Sequence, residues 1–367
     1  LTKTLLRYRY RRLREARHAA REAGFKGAMF PWQSGSDGRE ESQRIHLNPR
    51  SGRWTPDLTY LQRHVSANVA YCVWKYFQVT GNPEFMTLYG AELFFEIARF
   101  WASLAEYNEA EDRYEIRGVM GPDEFHTAYP GQEESNPGLN NNAYTNVMVA
   151  WVLARAFDLL DRLSPHRAQE VRRRLRITDE ELALWDSISR RLKVVFHDDG
   201  IISQFEGYED LEELDWDAYR DKYGDIQRLD RILESEGKSP NNYKLSKQAD
   251  VLMLFYLFSA EELTSIFERL GYAFDPETIP KNVQYYVQRT SDGSTLSHIV
   301  RCWVEARTDR EGSWQYFLNA LGADIDDIQG GTTAEGIHLG AMAGTVAVSY
   351  THLTLPTTIK PWGCGGA

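Results

Sequence analysis

The 367-residue sequence predicts an all-α protein, and two observations carry that prediction. Apolar residues recur at spacings of three and four through long segments, which is typical of amphipathic helices. Almost no segment alternates apolar and polar residues at period two, so strands are expected to contribute little. Connections rich in Gly, Pro, Asn and Asp separate roughly ten such segments. They are 1–23, 60–80, 90–105, 140–163, 179–196, 244–258, 260–271, 296–307, 311–321 and 334–346.

The two ends of the chain differ from its middle. The first predicted helix, 1–23, begins with neither a capping residue nor an initiator methionine, so we expect the domain to be incomplete at its N-terminus. After Val346 the helical pattern stops, and residues 347–367 read like a translated sequencing adapter. We interpret them as a non-native tail and place the folded domain at 1–346.

Several connections are long, and long ordered loops usually carry function. They are 24–46, 107–139, 199–243 and 273–295. Within the third, the acidic and aromatic stretch 206–236 lacks the residue spacing of a calcium-binding loop, so it is predicted to be a solvated arm.

Charge and composition narrow the class of partner. The chain has 42 Lys and Arg against 53 Asp and Glu, a net charge of -11 without a basic block. This argues against nucleic acid and anionic membrane and favours a neutral small molecule. Aromatic residues make up 13% of the chain, with 10 Trp and 20 Tyr. Their flat faces suit pyranose rings, although most are expected to fill the core.

Cysteine usage and hydropathy bear on location. Cys72, Cys302 and Cys364 show neither zinc-site nor disulfide spacing. We therefore expect no metal, and we expect the protein to lie in a reducing compartment. There is no signal-peptide pattern and no apolar run long enough to cross a bilayer. We therefore predict a cytoplasmic protein without a membrane partner.

One loop carries a candidate proton donor. Residues 121–126 read Gly-Pro-Asp-Glu-Phe-His. Gly-Pro favours a turn, and the aromatic beside Glu124 is suited to shield its carboxyl group, as a general acid for glycosidic bond cleavage requires. Considered alone, the same pattern is more typical of an exposed acidic turn than of a general acid.

Four further segments, one before the acid turn and three after it, stand in a characteristic order at 27–38, 140–146, 247–251 and 331–338. Together with the acid turn they resemble glycoside hydrolase family 65, the family of maltose, trehalose and kojibiose phosphorylases. The resemblance covers residues 1–346 and implies a catalytic (α/α)6 barrel with Glu124 as general acid.

The resemblance also implies a sugar site. Trp32 and Gln33 correspond to its mouth, and Lys247 and Gln248 to the pair that holds substrate hydroxyls. Each has a plainer alternative. We favour stacking of Trp32 on a sugar ring, although its side chain is also suited to plug the core, and a Lys-Gln pair at a helix start is often simply solvated.

The nucleophile distinguishes hydrolysis from phosphorolysis. A hydrolase needs a second carboxylate, whereas a phosphorylase needs an anion site. Residues 289–298 resemble the family's phosphate loop and place Ser294 and Thr295 at a helix start, with His338 as a further donor. The loop departs from the family pattern by an inserted glycine. Asp292 or Glu335 would serve as base if the enzyme were a hydrolase.

We therefore predict inverting phosphorolysis of an α-glucosidic disaccharide of the trehalose, kojibiose or maltose type, yielding β-glucose 1-phosphate. Phosphate is the co-substrate and no cofactor is expected. The partners are the disaccharide and phosphate. Family members often dimerise, so a homodimer is open to the full-length protein, although the sequence does not determine its oligomeric state. An inverting, trehalase-like hydrolase is the first alternative, and a non-catalytic carbohydrate-binding barrel is the second.

Overall fold

A computed structural model describes residues 1–198, 200–306, 309–327, 333 and 336–351, and it is predominantly helical. The prediction of an all-α fold is confirmed. The α-helices are α1 (Thr2–Arg11), α2 (Leu13–Glu22), α3 (Val65–Thr80), α4 (Pro83–Phe85), α5 (Ala91–Leu104), α6 (Ala143–Arg162), α7 (Pro165–Leu175), α8 (Asp179–Arg191), α9 (Trp216–Tyr223), α10 (Leu229–Ser235), α11 (Asp250–Leu257), α12 (Ala260–Arg269), α13 (Thr278–Val287), α14 (Thr295–Glu305), α15 (Arg310–Gly322) and α16 (Leu339–Thr351).

Short elements fill the connections. A π-helical turn, Met86–Gly90, joins α4 to α5. Among the described residues, short 3₁₀ turns occupy Thr59–Leu61, Tyr208–Asp210 and Pro240–Asn242. The described strands form antiparallel pairs: β1 (Ile45–Asn48) with β2 (Arg53–Pro56), β3 (Glu106–Asn108) with β4 (Arg113–Glu115), and β5 (Phe196–His197) with β6 (Ile201–Ile202). In the first pair Leu47 lies opposite Trp54.

The core is built around α6, whose residues are buried on nearly every side. Asn142 caps its N-terminus by accepting the backbone N–H of Thr145. α6 packs against α3, α5, α8 and α11. Indole rings occupy the space between these helices, and the ring of Trp185 stacks on that of Phe95 at 6.0 Å. Core packing therefore accounts for much of the aromatic content.

Some helices lie where connections were predicted. α7, α9, α10 and α13 show no long apolar stripe, and α7 buries only Val171 and Leu175. The first predicted helix is divided at Arg12 into α1 and α2. α16 continues past Val346 to Thr351. Residues 352–367 of the predicted tail, including Cys364, lie outside the described residues.

The acidic stretch 206–236 is more than a solvated arm, and that interpretation is wrong. Its apolar residues form a small core of their own, together with Phe125 of the acid turn and Leu245. The buried members within the stretch are Leu214, Tyr219, Ile226, Leu229, Ile232 and Leu233. The arm therefore packs directly beside Glu124.

The N-termini of three helices meet near the acid turn. Asn142, the N-cap of α6, donates to Asp250, the first residue of α11. The loop that leads into α14 bonds to the backbone of Lys247, just before α11. Helix N-termini carry unpaired N–H groups and partial positive charge, so this end of the molecule favours anions.

Three further observations concern the described residues alone. None of their helices is both long and apolar enough to span a membrane. Their His, Cys, Asp and Glu side chains form no group of three or more suited to hold a metal ion. Cys72 and Cys302 are both free thiols.

Candidate active site

The acid turn, residues 121–126, folds sharply against the start of α11. Glu124 adopts a left-handed conformation with φ 66°, which costs a residue with a side chain about 1–2 kcal/mol. Gly121 is required by close approach, because a Cβ atom there would lie 1.8 Å from Oδ2 of Asp250. A strained turn of this kind persists only when its surroundings hold it.

Asp123 ties the turn to two other segments. Its buried carboxylate accepts the backbone N–H of Lys247 at 2.8 Å through Oδ1. Its Oδ2 lies 2.6 Å from Nδ1 of His126, and Nε2 of that ring lies 3.0 Å from the carbonyl oxygen of Tyr243. Because a carbonyl oxygen only accepts, Nε2 donates to it. The acid turn is thus bonded to the chain that leads into α11.

Asp250 lies beneath the turn. Its Oδ1 accepts the backbone N–H of Asp123 at 2.6 Å, and its Oδ2 accepts Nδ2 of Asn142 at 2.5 Å. Burial raises the pKa of Asp250 well above its ordinary value, and the charge of Asp123 acts in the same direction. The two N–H donors oppose this shift, as do the N-termini of α6 and α11.

Glu124 lines a cavity of about 380 Å³, which lies within the usual range for a small-molecule site. Its Oε2 lies 2.5 Å from Nζ of Lys247, and the two side chains are 21% and 18% exposed. Of the residues singled out in the sequence, Trp32, Gln33, Glu124 and Lys247 line this cavity.

Trp32 and Gln33 stand at the cavity on a loop closed by Glu40. The carboxylate of Glu40 accepts the backbone N–H of Trp32 at 2.8 Å and that of Gln33 at 3.0 Å. The half-buried ring of Trp32 lies 5.8 Å from the ring of His64. Burial lowers the pKa of His64 to about 4, so this ring is neutral near pH 7. The indole therefore packs on a neutral ring while it lines the cavity.

Gln248 lies behind the acid turn instead. Its side chain is buried, and Nε2 donates to the carbonyl oxygen of Pro122 at 2.7 Å. Its Oε1 is buried without a hydrogen-bond partner among the described residues. The Lys-Gln pair is thus divided, with Lys247 in the cavity and Gln248 supporting the turn.

The predicted phosphate loop contacts the backbone of Lys247. Oγ of Ser297 donates to the carbonyl oxygen of Lys247 at 3.1 Å, and the N–H of Gly293 donates to it at 3.3 Å. A Cβ atom on Gly293 would lie 2.2 Å from the carbonyl oxygen of Gln227. The inserted glycine therefore permits a close packing of two loops.

The residues around this glycine have separate environments. Ser294 is the N-cap of α14, and its Oγ accepts the N–H of Leu296 at 3.3 Å. Thr295 is buried in the first turn of the helix. The carboxylate of Asp292, whose side chain is partly buried, lies 3.3 Å from Nη1 of Arg301. Burial raises the pKa of Asp292, although the charge of Arg301 opposes the shift.

His338 lies before α16 and bonds to Asp324. Its Nδ1 is 2.7 Å from Oδ1, and its backbone N–H donates to Oδ2 at 2.9 Å. No hydrogen bond among the described residues joins His338 to Ser294 or Thr295. Residues 331–332 and 334–335 of the same motif, including Glu335, lie outside the described part of the chain.

A second ion pair shares the cavity with Glu124. Arg228 donates through Nε and Nη2 to the two carboxylate oxygens of Asp230, at 3.0 and 2.7 Å. Burial opposes ionisation of Asp230, but the charge and hydrogen bonds of Arg228 lower its pKa. Asp57 also lines the cavity, and hydrogen bonds lower its pKa against the effect of burial.

Sequence reasoning missed this pair because it lies in the stretch interpreted as a solvated arm. The available signal was the run Arg-Leu-Asp-Arg at 228–231, in which one apolar residue, Leu229, separates side chains of opposite charge. Such a run beside apolar residues indicates an ion pair at the edge of a core, and the side chains of Arg228 and Asp230 are 27% and 22% exposed.

The family model for the central catalytic domain of glycosyl hydrolase family 65 matches residues 1–347. This chain belongs to that family. The prediction made from its motifs is thereby confirmed, and the family 65 chain can be compared with its relatives.

The chain is similar to two longer relatives. The chain is 58% identical over 346 residues to an "uncharacterized glycosyl hydrolase" of Mycobacterium tuberculosis, covering 94% of this chain and 26% of that protein. It is 41% identical over 345 residues to the trehalose 6-phosphate phosphorylase of Lactococcus lactis, covering 94% and 43% respectively. The family 65 chain thus spans less than half the length of either relative.

A solved structure shares the fold. The structure described as "Putative kojibiose phosphorylase from human microbiome" matches with a TM-score of 0.76 and 25% identity. The match covers 95% of the family 65 chain and 43% of the other. The likeness agrees with the helical arrangement described above and confirms the predicted (α/α)6 barrel.

Proposed function

We propose that this family 65 barrel catalyses inverting phosphorolysis of an α-glucosidic disaccharide, yielding β-glucose 1-phosphate and a free sugar. The position of Lys247 carries the proposal. Its Nζ contacts the carboxylate of Glu124 in the cavity, while its carbonyl oxygen accepts hydrogen bonds from the predicted phosphate loop. The proton donor and the anion loop are therefore bonded to one residue. Relatives named as phosphorylases support the same reaction.

In the proposed reaction Glu124 protonates the departing glycosidic oxygen, and a phosphate oxygen attacks the anomeric carbon from the opposite face. Without substrate, the ammonium of Lys247 pairs with the carboxylate of Glu124. Substrate hydroxyls accept hydrogen bonds from that ammonium and so release Glu124 to carry a proton. Trp32 and Gln33 bind the sugar at the cavity, and Gln248 holds the turn from behind.

Phosphate is proposed to bind at the start of α14. Ser294 and Thr295 stand there at the N-terminus of the helix, whose partial positive charge favours an anion. His338 would add a further donor by exchanging its bond with Asp324 for one with phosphate. Because phosphate is already a competent nucleophile, this reaction needs neither a second catalytic carboxylate nor a cofactor.

The test uses the complete reading frame that encodes this chain. Trehalose, trehalose 6-phosphate, kojibiose, nigerose and maltose are each incubated with and without inorganic phosphate, and β-glucose 1-phosphate is measured. We expect its formation to require phosphate. Glu124→Gln should lower turnover by about 10²–10⁴-fold, the usual loss when a general acid is removed. Exposed Glu109 supplies the control, because Glu109→Gln should leave turnover unchanged.

Hydrolysis is the second candidate, and one observation favours it. Asp57 and Asp230 are carboxylates with lowered pKa values in the same cavity, and an inverting hydrolase needs such a base. Turnover independent of phosphate, together with its loss in Asp230→Asn, would support hydrolysis and refute phosphorolysis. Sugar binding without turnover under either condition would support a non-catalytic barrel.

A further inference from the structure

A buried carboxylate occupies the inside of the acid turn. Asp250 accepts the N–H of Asp123, the residue before Glu124, and its Oδ2 fills the space where Gly121 has no side chain. Asp250 is 1% exposed and does not line the cavity that contains Glu124. Asp250 therefore acts on the reacting atoms through the acid turn and not by direct contact.

The second oxygen of Asp250 links the turn to the core. It accepts Nδ2 of Asn142, and Oδ1 of Asn142 accepts the backbone N–H of Thr145 in the first turn of α6. Asp250 itself begins α11. The acid turn is thus attached to two helices, which hold a side chain more accurately than a loop does.

The position of Glu124 needs such an attachment. Its backbone is left-handed, with φ 66°, and an unsupported loop would relax to a more favourable conformation. Relaxation would carry the carboxyl group away from the glycosidic oxygen. A misplacement of about 1 Å is enough to lower turnover by about 10²-fold.

Both oxygens of Asp250 face N–H donors, and this explains why a carboxylate stands there. An asparagine would direct an NH₂ group at either Asp123 or Asn142, because an amide offers only one acceptor oxygen. A buried carboxylate is costly to maintain, even with donors and helix N-termini beside it. An apolar residue would serve packing alone at lower cost.

We propose that Asp250 is a positioning residue for the general acid, holding the acid turn so that the carboxyl group of Glu124 meets the glycosidic oxygen. This role rests on the proposed function only in that Glu124 must be the acid. It applies equally to phosphorolysis and to hydrolysis.

The experiment compares two leaving groups in the complete protein. A disaccharide needs a proton on its departing oxygen, whereas α-glucosyl fluoride loses fluoride with its electron pair and needs none. In either substrate the bond to C1 breaks while phosphate, or water, forms the new bond. We expect Asp250→Asn to lower kcat on the disaccharide by about 10²-fold with little change in KM. Turnover of the fluoride should stay near that of the unsubstituted protein.

The controls separate positioning from folding. Glu124→Gln should show the same selective loss, and Val251→Ala, which removes a buried core side chain from the same helix, should not. An equal loss on both substrates in Asp250→Asn would overturn the proposal. If that variant does not fold, Asn142→Ala takes its place, because it removes one donor and leaves the carboxylate.

The reactions are run with and without phosphate, so that the two proposals fail separately. Phosphate-independent turnover with a selective loss in Asp250→Asn would refute phosphorolysis and support the positioning role. If neither substrate reacts, a crystal structure of Asp250→Asn decides the matter. We expect Glu124 to leave its contact with Lys247, and a retained contact would overturn the positioning role.

Discussion

Replacing Gly121 with alanine tests the geometry of the acid turn directly. The added Cβ atom would lie 1.8 Å from Oδ2 of Asp250 and 2.5 Å from Nδ2 of Asn142. Ordinary contact begins near 3.4 Å, so the carboxylate or the turn must move by about 1.6 Å. That movement separates Asp250 from at least one of its two donors.

The expected cost follows from these contacts. Loss of a buried hydrogen bond to a charged group costs about 1.5–3 kcal/mol. Overpacking of a well-packed site costs about 1–3 kcal/mol more. Gly121→Ala should therefore lower the free energy of unfolding by roughly 2.5–6 kcal/mol. Any folded fraction should also lose turnover, because the turn carries Glu124.

The assay is equilibrium unfolding in urea, with Gly118→Ala as the matched control. Gly118 is nearby, has φ 65° and has open space around its Cβ position. Its replacement introduces backbone strain alone, at about 1–2 kcal/mol. If Gly121→Ala is no more destabilising than Gly118→Ala, the close contact with Asp250 is refuted.

Two further predictions concern residues near the site. Burial holds the pKa of His64 at about 4, below its ordinary 6.5, so the unfolded chain takes up the proton first. As the pH is lowered from 6.5 to 4, this one group should reduce the free energy of unfolding by about 3 kcal/mol. His64→Phe should flatten that dependence in urea titrations at both pH values, and an unchanged slope would contradict the assignment. Asn142→Ala should lower the free energy of unfolding more than Ser259→Ala does, because Asn142→Ala removes a helix cap and also a hydrogen-bond donor to Asp250. Ser259→Ala removes only an exposed cap worth about 1 kcal/mol. Equal losses would argue against the bond between Asn142 and Asp250.

Helix prediction succeeded where burial is strongly one-sided or complete. α5 and α6 bury apolar residues along their whole length, and both were predicted from periodicity. α9 and α10 were missed because they are short, and they pack mainly on a small local core beside Phe125. A segment of seven or eight residues contains too few turns for periodicity to be recognised unless, as in α11, it is apolar almost throughout.

The acid turn and its place in a family follow from the sequence by itself, because a Gly-Pro turn, a carboxylate and an ordered series of motifs are local features. The sequence also determined the helical class, since periodicity reflects which face of each helix is buried. Only the tertiary structure decided which residues surround Glu124. Asp123 and Asp250 are 127 positions apart in the sequence, and Glu124 and Lys247 are 123 positions apart. Arg228 lines the same cavity from the stretch 206–236. A buried charge is stable only beside partners that folding brings to it, and no local pattern specifies which distant segment will supply them.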